Sequence, residues 1–261
     1  MKKLGHGSST DHELVGAIVE ELCDLAVIVE VMQRQGGHPG WERLRDAVGP
    51  SWDGVVTDRP RPNTSAGHAE HYGVLMRRSV VRMCDGWQGL RYHPDHDGGP
   101  DGSGPNRFSR EPAYGCFVSG GFDFLLAAYH ATWSDGRTAD ISDEVANLGD
   151  VLGNMSGARE GEGDLLIAGD FNLVSEVLAR VLPFYDATSG SGSTLNRRGQ
   201  RTDNLYDHLL VEDKEATAEL LEHAVIVDVR DRAASPEVFF RTVSDHLPLV
   251  AVFDTGGPDD D

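Results

Sequence analysis

Residues 164–172 read DLLIAGDFN, a short apolar run followed directly by an acid and an amide. The run DLLIA predicts a buried strand, because it is brief, apolar and bounded by polar residues and glycine. Asp170 and Asn172 lie two positions apart, and an extended backbone places side chains with that spacing on the same side. Both side chains can therefore hold one ligand at the end of this strand.

A second polar group precedes the last apolar run of the chain. Ser244, Asp245 and His246 stand directly before LPLVAVF, residues 247–253. An imidazole titrates near neutral pH, so a carboxylate beside it can set its protonation. Taken separately, each group also has an ordinary structural explanation, since GDFN is a common turn and a Ser-Asp pair can cap a strand.

The rest of the sequence predicts strands interrupted by a few helices. Residues 11–22 have helical spacing, and the β-branched run at 24–32 predicts a buried strand with Glu30 near its end. An acid in that place needs a partner or a metal, unless it lies at a solvent-facing strand end. Residues 72–83 and 115–129 each predict a hairpin. Further segments predict a helix at 141–154, a loop at 186–203, and strands at 164–168, 205–211, 224–229 and 247–253. This pattern predicts an α/β fold with two packed sheets and helices outside.

The composition limits the kind of substrate surface. The chain carries 43 acidic and 23 basic residues, for a net charge of −20. Such a balance argues against an extended basic surface, so a polyanionic substrate would be met locally by a metal ion and a few arginines. The alternative explanation is a solvated acidic surface or a salt-rich habitat. No apolar run is long enough to cross a bilayer, so no stable membrane insertion is expected.

One domain is expected over residues 1–254, followed by a disordered acidic tail at 255–261. The three cysteines, Cys23, Cys84 and Cys116, are widely spaced and form no zinc-binding pattern. We therefore expect reduced thiols that are buried or half-buried. Residues 1–10 have no apolar segment of the kind that a signal peptide requires.

The order of the motifs resembles the endonuclease/exonuclease/phosphatase superfamily, and in particular its pancreatic-deoxyribonuclease-like branch. The matching stretches run from about residue 12 to residue 253: VIVEVM, AEHYGVLMRR, FSREP, LLAAYH, LLIAGDFN, NLYDHLLV and SDHLPL. FSREP and the acid in AEHY favour that branch over the inositol-phosphatase branch. The resemblance implies a deoxyribonuclease-like four-layer sandwich, in which two sheets are flanked by helices.

The resemblance also implies a metal site. Glu30 resembles the family's metal-binding glutamate, and Asp245 would be a further carboxylate on the metal side. Asp170 and Asn172 resemble the pair that serves the substrate phosphate and the metal site. Carboxylate and amide oxygens suit Mg²⁺ or Mn²⁺, with Ca²⁺ in a supporting role.

Two histidines would perform the proton transfers. His130 and His246 resemble the paired catalytic histidines that flank the scissile phosphate. Glu70 would orient His130, and Asp207 would orient His246. A carboxylate on one ring nitrogen fixes the tautomer and leaves the other nitrogen for proton transfer. By strand alternation, His208 should point away from Asp207.

Four residues are implied as contacts of the substrate phosphate: Arg110, Asn172, Thr194 and Asn204. The function implied is a metal-dependent phosphodiesterase, most specifically an endonuclease that hydrolyses DNA. The alternatives are a phosphoinositide or sphingolipid phosphodiesterase, and a weakened or inactive binding protein that retains the fold. We expect a nucleic-acid substrate and a monomer, and the sequence does not show whether the protein has protein partners.

Two positions depart from the family pattern. Val29 stands where most members have a glutamine before the metal glutamate. Members also begin with a strand that carries an asparagine of the metal site, and here MKKLG resembles the segment directly after that asparagine. We therefore expect the fold to lack its first strand and the metal to have one ligand fewer. Localisation is then open: cytoplasmic as the sequence is written, or secreted if an N-terminal segment is missing.

Overall fold

The computed structural model of the protein describes residues 3–4, 9–58, 70–94, 107–133, 137–182, 184–212 and 218–257. The first half of the chain forms α1 (His12–Leu22), β1 (Leu25–Met32), α2 (Pro39–Val48), β2 (Trp52–Val56), β3 (Glu70–Arg77), β4 (Arg82–Met83), β5 (Arg91–Tyr92), β6 (Ala113–Ser119) and β7 (Phe122–His130). The second half forms α3 (Thr138–Val145), α4 (Leu148–Ala158), β8 (Leu165–Asp170), α5 (Ser175–Val181), β9 (Tyr185–Asp186), β10 (Thr188–Ser189), β11 (Asp207–Val211), β12 (Leu220–Ile226), α6 (Pro236–Thr242) and β13 (Leu249–Phe253), with a 3-10 helix at Arg230–Arg232.

Local sequence explains where several helices begin. The side chain of Asp11 accepts a hydrogen bond from the backbone N–H of Leu14 at 3.1 Å, which caps α1. Ser235 caps α6 in the same way, and Pro236 occupies the first turn, where its missing N–H costs nothing. These caps satisfy N–H groups that the helices themselves leave unpaired.

The strands form one large sheet and two small ones. The large sheet has the order β4-β6-β7-β8-β11-β9, with β5 also paired to β6. Its centre mixes directions, because β7 and β8 are parallel whereas β8 and β11 are antiparallel. The first small sheet has the order β1-β3-β2, and the second small sheet has the order β10-β12-β13.

Apolar side chains arrange these elements in four layers. The inner core lies between the large sheet and the small sheets, with Phe124 and Leu126 of β7 in contact with the cluster that includes Phe253 of β13. A second core joins the large sheet to α3, α4 and α5. A third core joins α1, α2 and α6 to β1 and β3. The predicted sandwich of two sheet layers flanked by helices is therefore confirmed, although the second sheet layer consists of two separate sheets.

Several elements differ from the sequence-based expectations. The helix expected at 141–154 is two helices, α3 and α4, that meet at Ala146 and Asn147. The loop expected at 186–203 includes β10 and the end of β9. We did not predict α5 or α6, which have seven residues each and are too short to show a clear helical period. We also did not predict α2 or β2. Within the described ranges, none of the helices has the length and apolar character needed to cross a bilayer.

The contacts at the edge of β1 away from β3 concern the expectation that the fold lacks its first strand. Leu4 forms a parallel bridge with Val31, and its carbonyl oxygen accepts from the N–H of Met32 at 2.9 Å. Among the described residues, Lys3 also contacts β1, because its backbone N–H donates to the side chain of Glu30 at 2.6 Å. The absence of a first strand stays a prediction. The expected tail lies largely outside the described residues, which end at Gly257.

The expectation of three reduced thiols was wrong for two of them. Cys84 and Cys116 form a disulfide with a Cα–Cα distance of 5.3 Å. Pairing of β4 with β6 brings the two residues together, since Met83 is opposite Phe117 in the register. Sequence spacing could not show this, because the contact joins strands that are 32 residues apart. Cys23 is a half-buried free thiol, and burial raises its pKa to about 11.

Candidate active site

The register of the large sheet aligns three predicted site residues. His130 ends β7 opposite Asp170 of β8, and Asp170 is in turn opposite Asp207 of β11. Neighbours in register project from the same face of a sheet. Three adjacent strands thus place one imidazole and two carboxylates in a single row.

His130 belongs to a buried chain of polar groups. Its Nδ1 lies 2.9 Å from Oε2 of Glu70, at the start of β3. Arg110 holds the same carboxylate, with Nε 2.8 Å from Oε2 and a second nitrogen 3.2 Å from Oε1. Burial alone would raise the pKa of Glu70, but His130 and Arg110 outweigh it and lower that pKa. Glu70 is therefore ionised at neutral pH and contacts the His130 ring; that it orients this ring in a reaction stays a prediction.

His246 forms a second carboxylate–imidazole pair. Its Nδ1 lies 2.7 Å from Oδ2 of Asp207. Burial lowers the pKa of His246, but the carboxylates of Asp207 and Asp170 outweigh it and raise the pKa to about 9. Burial likewise opposes ionisation of Asp207, and His246 and Ser193 outweigh it, so the pKa of Asp207 is lowered. His246 is consequently protonated at neutral pH.

Both imidazoles face the same oxygen atom. Nε2 of His130 and Nε2 of His246 each lie 3.7 Å from Oδ2 of Asp170. This distance is longer than a hydrogen bond, so the three atoms lie close together but neither nitrogen is hydrogen-bonded to the oxygen. Burial raises the pKa of Asp170 above its ordinary value. The free ring nitrogens are thus presented to whatever group lies between them.

The backbone around this point is unusual at three positions. Glu30 has φ +59° within a register shift of β1, and Asn172 has φ +50°. Gly169 has φ +152°, and a Cβ there would lie 1.8 Å from the carbonyl oxygen of Tyr129. Such conformations cluster at functional sites, where the surrounding structure must hold them. Here they direct Glu30, Asp170 and Asn172 toward the end of the sheet.

Hydrogen bonds fix the GDFN segment itself. The N–H of Asn172 donates to Oδ1 of Asp170 at 2.9 Å. The side-chain amide of Asn172 donates to the carbonyl oxygen of Ala131 at 3.0 Å, which leaves its amide oxygen as an acceptor. The structure therefore brings Asp170 and Asn172 together, as their spacing predicted.

The described residues include one group suited to a metal ion. Ligand atoms of Glu30, Glu70 and His130 lie within 4.8 Å of one another. Glu70 already binds His130 and Arg110, whereas Glu30 accepts from the backbone N–H of Lys3 at 2.6 Å. Glu30 is thus the member best able to take a cation, and its oxygen fits a hard divalent ion. Asp245 is not part of this group, and its role at a metal remains a prediction.

The residues predicted to contact phosphate lie in different settings. Arg110 uses its guanidinium on Glu70 and on the carbonyl oxygen of Ala131 at 3.0 Å, so its observed contacts position Glu70. Thr194 forms a bridge with His246 and a hydroxyl contact with Thr202. The carbonyl oxygen of Asn204 accepts from the N–H of Ser193 at 2.8 Å, and its side chain is exposed. Their contacts with phosphate remain predictions.

Two further buried residues support the site: sequence reasoning gave only the direction of His208 and missed Glu144 altogether. His208 places Nδ1 2.9 Å from Oδ2 of Asp186 and Nε2 2.9 Å from the carbonyl oxygen of Leu173. Glu144 of α3 accepts from the N–H groups of Ser109, next to Arg110, and of Thr132, two residues after His130. His208 points away from Asp207, in agreement with strand alternation. A single histidine in a strand or a single acid in a helix carries no other sequence signal that would identify such a supporting role.

No family model matches the sequence, and comparison with curated proteins gives no match either. Solved structures do resemble the chain. An endonuclease/exonuclease/phosphatase from Bacteroides vulgatus is 16% identical, with a TM-score of 0.63 over 93% of this chain and 89% of that one. The D. rerio TDP2 complexed with single strand DNA product is also 16% identical, with a TM-score of 0.63 over 97% and 96%. A Bacteroides thetaiotaomicron mannosyl-6-phosphatase is 16% identical, with a TM-score of 0.62 over 93% and 90%.

These similarities cover almost the whole chain. The protein therefore has the fold of the endonuclease/exonuclease/phosphatase superfamily, also called the DNase I-like fold. The resemblance that the motif order predicted is confirmed at the level of the fold. At 16% identity the likeness extends no further than the fold, so the reaction must be argued from the side chains of the site.

Proposed function

We propose that the protein is a divalent-metal-dependent phosphodiester hydrolase that cuts DNA internally by two-histidine acid–base catalysis. One observation carries this proposal: two imidazoles, each held by its own carboxylate, direct their Nε2 atoms at 3.7 Å toward one oxygen of Asp170. A phosphodiester needs a proton removed from the attacking water and a proton given to the leaving oxygen. Two separately oriented imidazoles can supply both transfers.

The partners of the two rings assign their roles. His246, with a pKa of about 9, carries the proton that the leaving oxygen receives as its bond to phosphorus breaks. His130 uses Nδ1 on Glu70, so its Nε2 is the atom that accepts a proton of the attacking water. Asp170 lies between the two and orients the water. The side-chain amide of Asn172 has a second N–H besides the one that it donates to Ala131, and this N–H can stabilise charge on the phosphoryl oxygens.

A divalent ion would bind at Glu30, next to the Glu70 and His130 pair. It supplies charge neutralisation at the phosphate, which Mg²⁺ or Mn²⁺ provides with oxygen ligands. The guanidinium of Arg110 does not supply this positive charge at the phosphate, because it is paired with the carboxylate of Glu70. Glu70 in turn stays ionised, which keeps the His130 ring in one orientation.

A basic loop beside His246 supports a polyanionic substrate. Leu195 and Arg201 form a bridge that closes a turn, and the exposed Arg197 and Arg198 lie at its tip. The same loop is tied to the histidine, since the N–H of Leu195 donates to the carbonyl oxygen of Asp245 at 2.7 Å. On a chain with a net charge of −20, this is the local cationic surface that a nucleic acid requires. The single strand DNA product in the D. rerio TDP2 complex supports the same substrate class.

The test is nicking of supercoiled plasmid by purified protein, with and without Mg²⁺. His130→Asn and His246→Asn should each lower the rate by about 10²-fold to 10⁴-fold, because each removes one proton transfer. EDTA should abolish nicking, and added Mg²⁺ should restore it. The matched control is His223→Asn, an exposed histidine on β12, which should leave the rate unchanged.

Three results would contradict the proposal in different ways. Nicking that persists in EDTA would show that the reaction needs no divalent metal ion. If both histidine variants nick DNA at the wild-type rate, the two-histidine acid–base mechanism is wrong. Hydrolysis of inositol phosphates or sugar phosphates without nicking of DNA keeps the phosphoester chemistry and changes the substrate.

A further inference from the structure

Two histidine rings touch on the face of the first small sheet that packs against α2. The ring centroids of His38 and His71 are 4.3 Å apart, and the ring planes are inclined at 75°. His71 belongs to β3, and His38 directly precedes α2. A Cβ at Gly73 would lie 2.4 Å from the Trp41 ring of α2, so this face of β3 is turned toward that helix. His71 lies two residues earlier and shares the face, whereas Glu70 projects from the opposite one.

Hydrogen bonds fix the ring of His71 through one of its two nitrogens. Its Nδ1 lies 2.8 Å from the carbonyl oxygen of Thr57, and because a carbonyl oxygen only accepts, Nδ1 carries the proton. Thr57 is itself held, since its hydroxyl accepts from the hydroxyl of Tyr92 at 2.8 Å and from the N–H of Tyr72 at 3.2 Å. In a neutral ring, Nε2 then has a free lone pair. A histidine that binds a metal ion through one nitrogen commonly donates from the other to such an acceptor.

The remaining nitrogen of each ring is enclosed by protein. Nε2 of His38 and Nε2 of His71 are both buried, and neither has a hydrogen-bond partner among the described residues. His71 is fully buried, whereas His38 is half-buried and leaves a path from solvent. A buried polar atom without a partner is unfavourable, and native proteins keep few of them. A cation that binds both lone pairs would satisfy the two nitrogens together.

His38 occupies a position where a helix ordinarily has a capping side chain. It is the N-cap residue of α2, but its side chain makes no capping hydrogen bond. By contrast, Asp11 and Ser235 cap the helices that follow them. The contact with His71, and not helix capping, thus accounts for the placement of this ring.

Carboxylates lie near the half-buried ring of His38. Glu42 follows it by four residues, so both lie on one side of the first turn of α2. Oε1 of Glu42 would be 3.7 Å from a Cβ at Gly37, which shows that the carboxylate reaches back toward the start of the helix. Burial lowers the pKa of His38, and the charges of Glu42 and Asp58 oppose that effect. The charge of Glu42 also offsets the positive end of α2, which by itself disfavours a cation.

We propose that His38 and His71 form a second metal site, which binds one transition-metal ion such as Zn²⁺ through both Nε2 atoms, with Glu42 and water as further ligands. Imidazole nitrogens bind Zn²⁺ at about 2.0 to 2.1 Å and suit it better than they suit Mg²⁺. The site is thus distinct from the oxygen site at Glu30. The ion joins the start of α2 to the start of β3, the strand that carries Glu70. The inference does not depend on the reaction proposed above.

The test is calorimetric titration of Zn²⁺ into the intact protein, freed of metal by a chelator and dialysed, in an excess of Mg²⁺. Mg²⁺ occupies oxygen ligands and competes poorly for imidazole. Wild type should bind one Zn²⁺ per chain, and His38→Gln should bind it at least tenfold more weakly. At about a hundredfold excess over the wild-type Kd, Zn²⁺ should raise the Tm of wild type by about 5 to 10 °C. The same concentration should raise the Tm of the variant by about half as much at most.

Matched variants localise the ion. His223→Gln removes an exposed histidine of β12, and His130→Asn removes an imidazole of the candidate active site. Both should bind Zn²⁺ as wild type does. Glu42→Gln should weaken binding, whereas Asp46→Asn, one turn further along α2, should not. Because His38 is half-buried, His38→Gln should fold, and its Tm in the absence of Zn²⁺ verifies this.

Three results would overturn the proposal. If wild type binds no Zn²⁺ even at millimolar concentration, the site does not exist. If His38→Gln binds as wild type does while His130→Asn loses the ion, Zn²⁺ lies in the candidate active site instead. Equal weakening by Glu42→Gln and Asp46→Asn would show that the charge of α2 acts at a distance and that Glu42 is not a ligand.

Discussion

At the scale of single residues, the buried His208–Asp186 pair makes a clear prediction about stability. Both ring nitrogens of His208 face oxygen acceptors, Asp186 on one side and the carbonyl oxygen of Leu173 on the other. An imidazole that donates twice is protonated. Burial lowers the pKa of His208, but Asp186 outweighs it and raises the pKa above 6.5. The same pairing overcomes burial of Asp186 and lowers its pKa below 3.8.

His208→Gln should therefore reduce the free energy of unfolding by about 3 kcal/mol at pH 5.5, because it leaves a buried carboxylate without its partner. The stabilisation from a raised histidine pKa is full below pH 6.5 and is lost as the pH rises through that raised value. Stabilisation from a lowered aspartate pKa is present above pH 3.8 and is lost as the pH falls. The pair thus acts most strongly between about pH 4 and pH 6.5.

Urea unfolding of wild type and His208→Gln at a series of pH values measures this difference. It should be largest near pH 5.5 and shrink above pH 6.5. The exposed His223→Gln should change stability by less than about 0.5 kcal/mol. A difference that stays constant from pH 5.5 to pH 9.5 would show that His208 is not charged in the folded protein.

At the scale of strands, the end of β8 depends on one glycine. Gly169 pairs with Tyr129 of the parallel neighbour β7 and with His208 of β11. Its φ of +152° and the 1.8 Å approach of a Cβ to the Tyr129 oxygen leave no room for a side chain. The conformation places Asp170 between His130 and His246. Gly169 thus sets the conformation at the end of β8, although it has no side chain that could take part in a reaction.

Gly169→Ala should lower the free energy of unfolding by about 3 kcal/mol, since β7 and β8 must separate to admit the methyl group. It should also lower the rate of DNA nicking, because Asp170 moves with the backbone. Gly153→Ala is the control, because Gly153 lies in α4 and a Cβ there meets nothing within 4 Å. That change should stabilise the protein by about 0.5 to 1 kcal/mol. Equal stability of the two variants would refute the requirement for glycine at position 169.

At the scale of the whole molecule, the placement of charge predicts how a long substrate is held. Arg197 and Arg198 lie in the loop next to His246, whereas Arg78 and Arg82 lie at the opposite end of their sheets. Charge near the site can contact the phosphates on either side of the scissile bond. Charge at the far end cannot, although it changes the net charge equally.

Arg197→Glu with Arg198→Glu should reduce kcat/KM for plasmid DNA at least tenfold, while hydrolysis of a small phosphodiester stays near the wild-type rate. The dependence of DNA binding on salt should fall by about two counterions. Arg78→Glu with Arg82→Glu introduces the same charge at the far end and should have little effect. If both double variants lose the same activity, only the net charge matters and the loop has no special role.

The disulfide is a second property of the whole molecule, because it ties the residue after β4 to β6, the neighbouring strand of the large sheet. Cys84→Ser should cost about 3.7 kcal/mol of stability, the value expected for a loop closed by residues 32 positions apart. A reducing agent should lower the Tm of wild type to that of the variant, and it should not change the Tm of the variant. A Tm of wild type that resists reduction under unfolding conditions would contradict the bond.

The sequence by itself determined the class of fold and the main polar positions of the site. Apolar runs of strand length, ended by GDFN or preceded by SDH, marked where chemistry could lie. Spacing alone paired Asp170 with Asn172, and motif order suggested the two histidines with their carboxylates. These signals are local or follow the order of the chain, which is why a sequence can carry them.

Only the tertiary structure decided the contacts between distant parts of the chain. It brought Cys84 and Cys116 together in a disulfide. It also paired the side chain of Arg110 with Glu70 and that of His208 with Asp186. It aimed both Nε2 atoms at one oxygen of Asp170. Each of these depends on which strands become neighbours and in what register. That choice results from the burial of apolar surface by the whole chain, and no short stretch of sequence contains it.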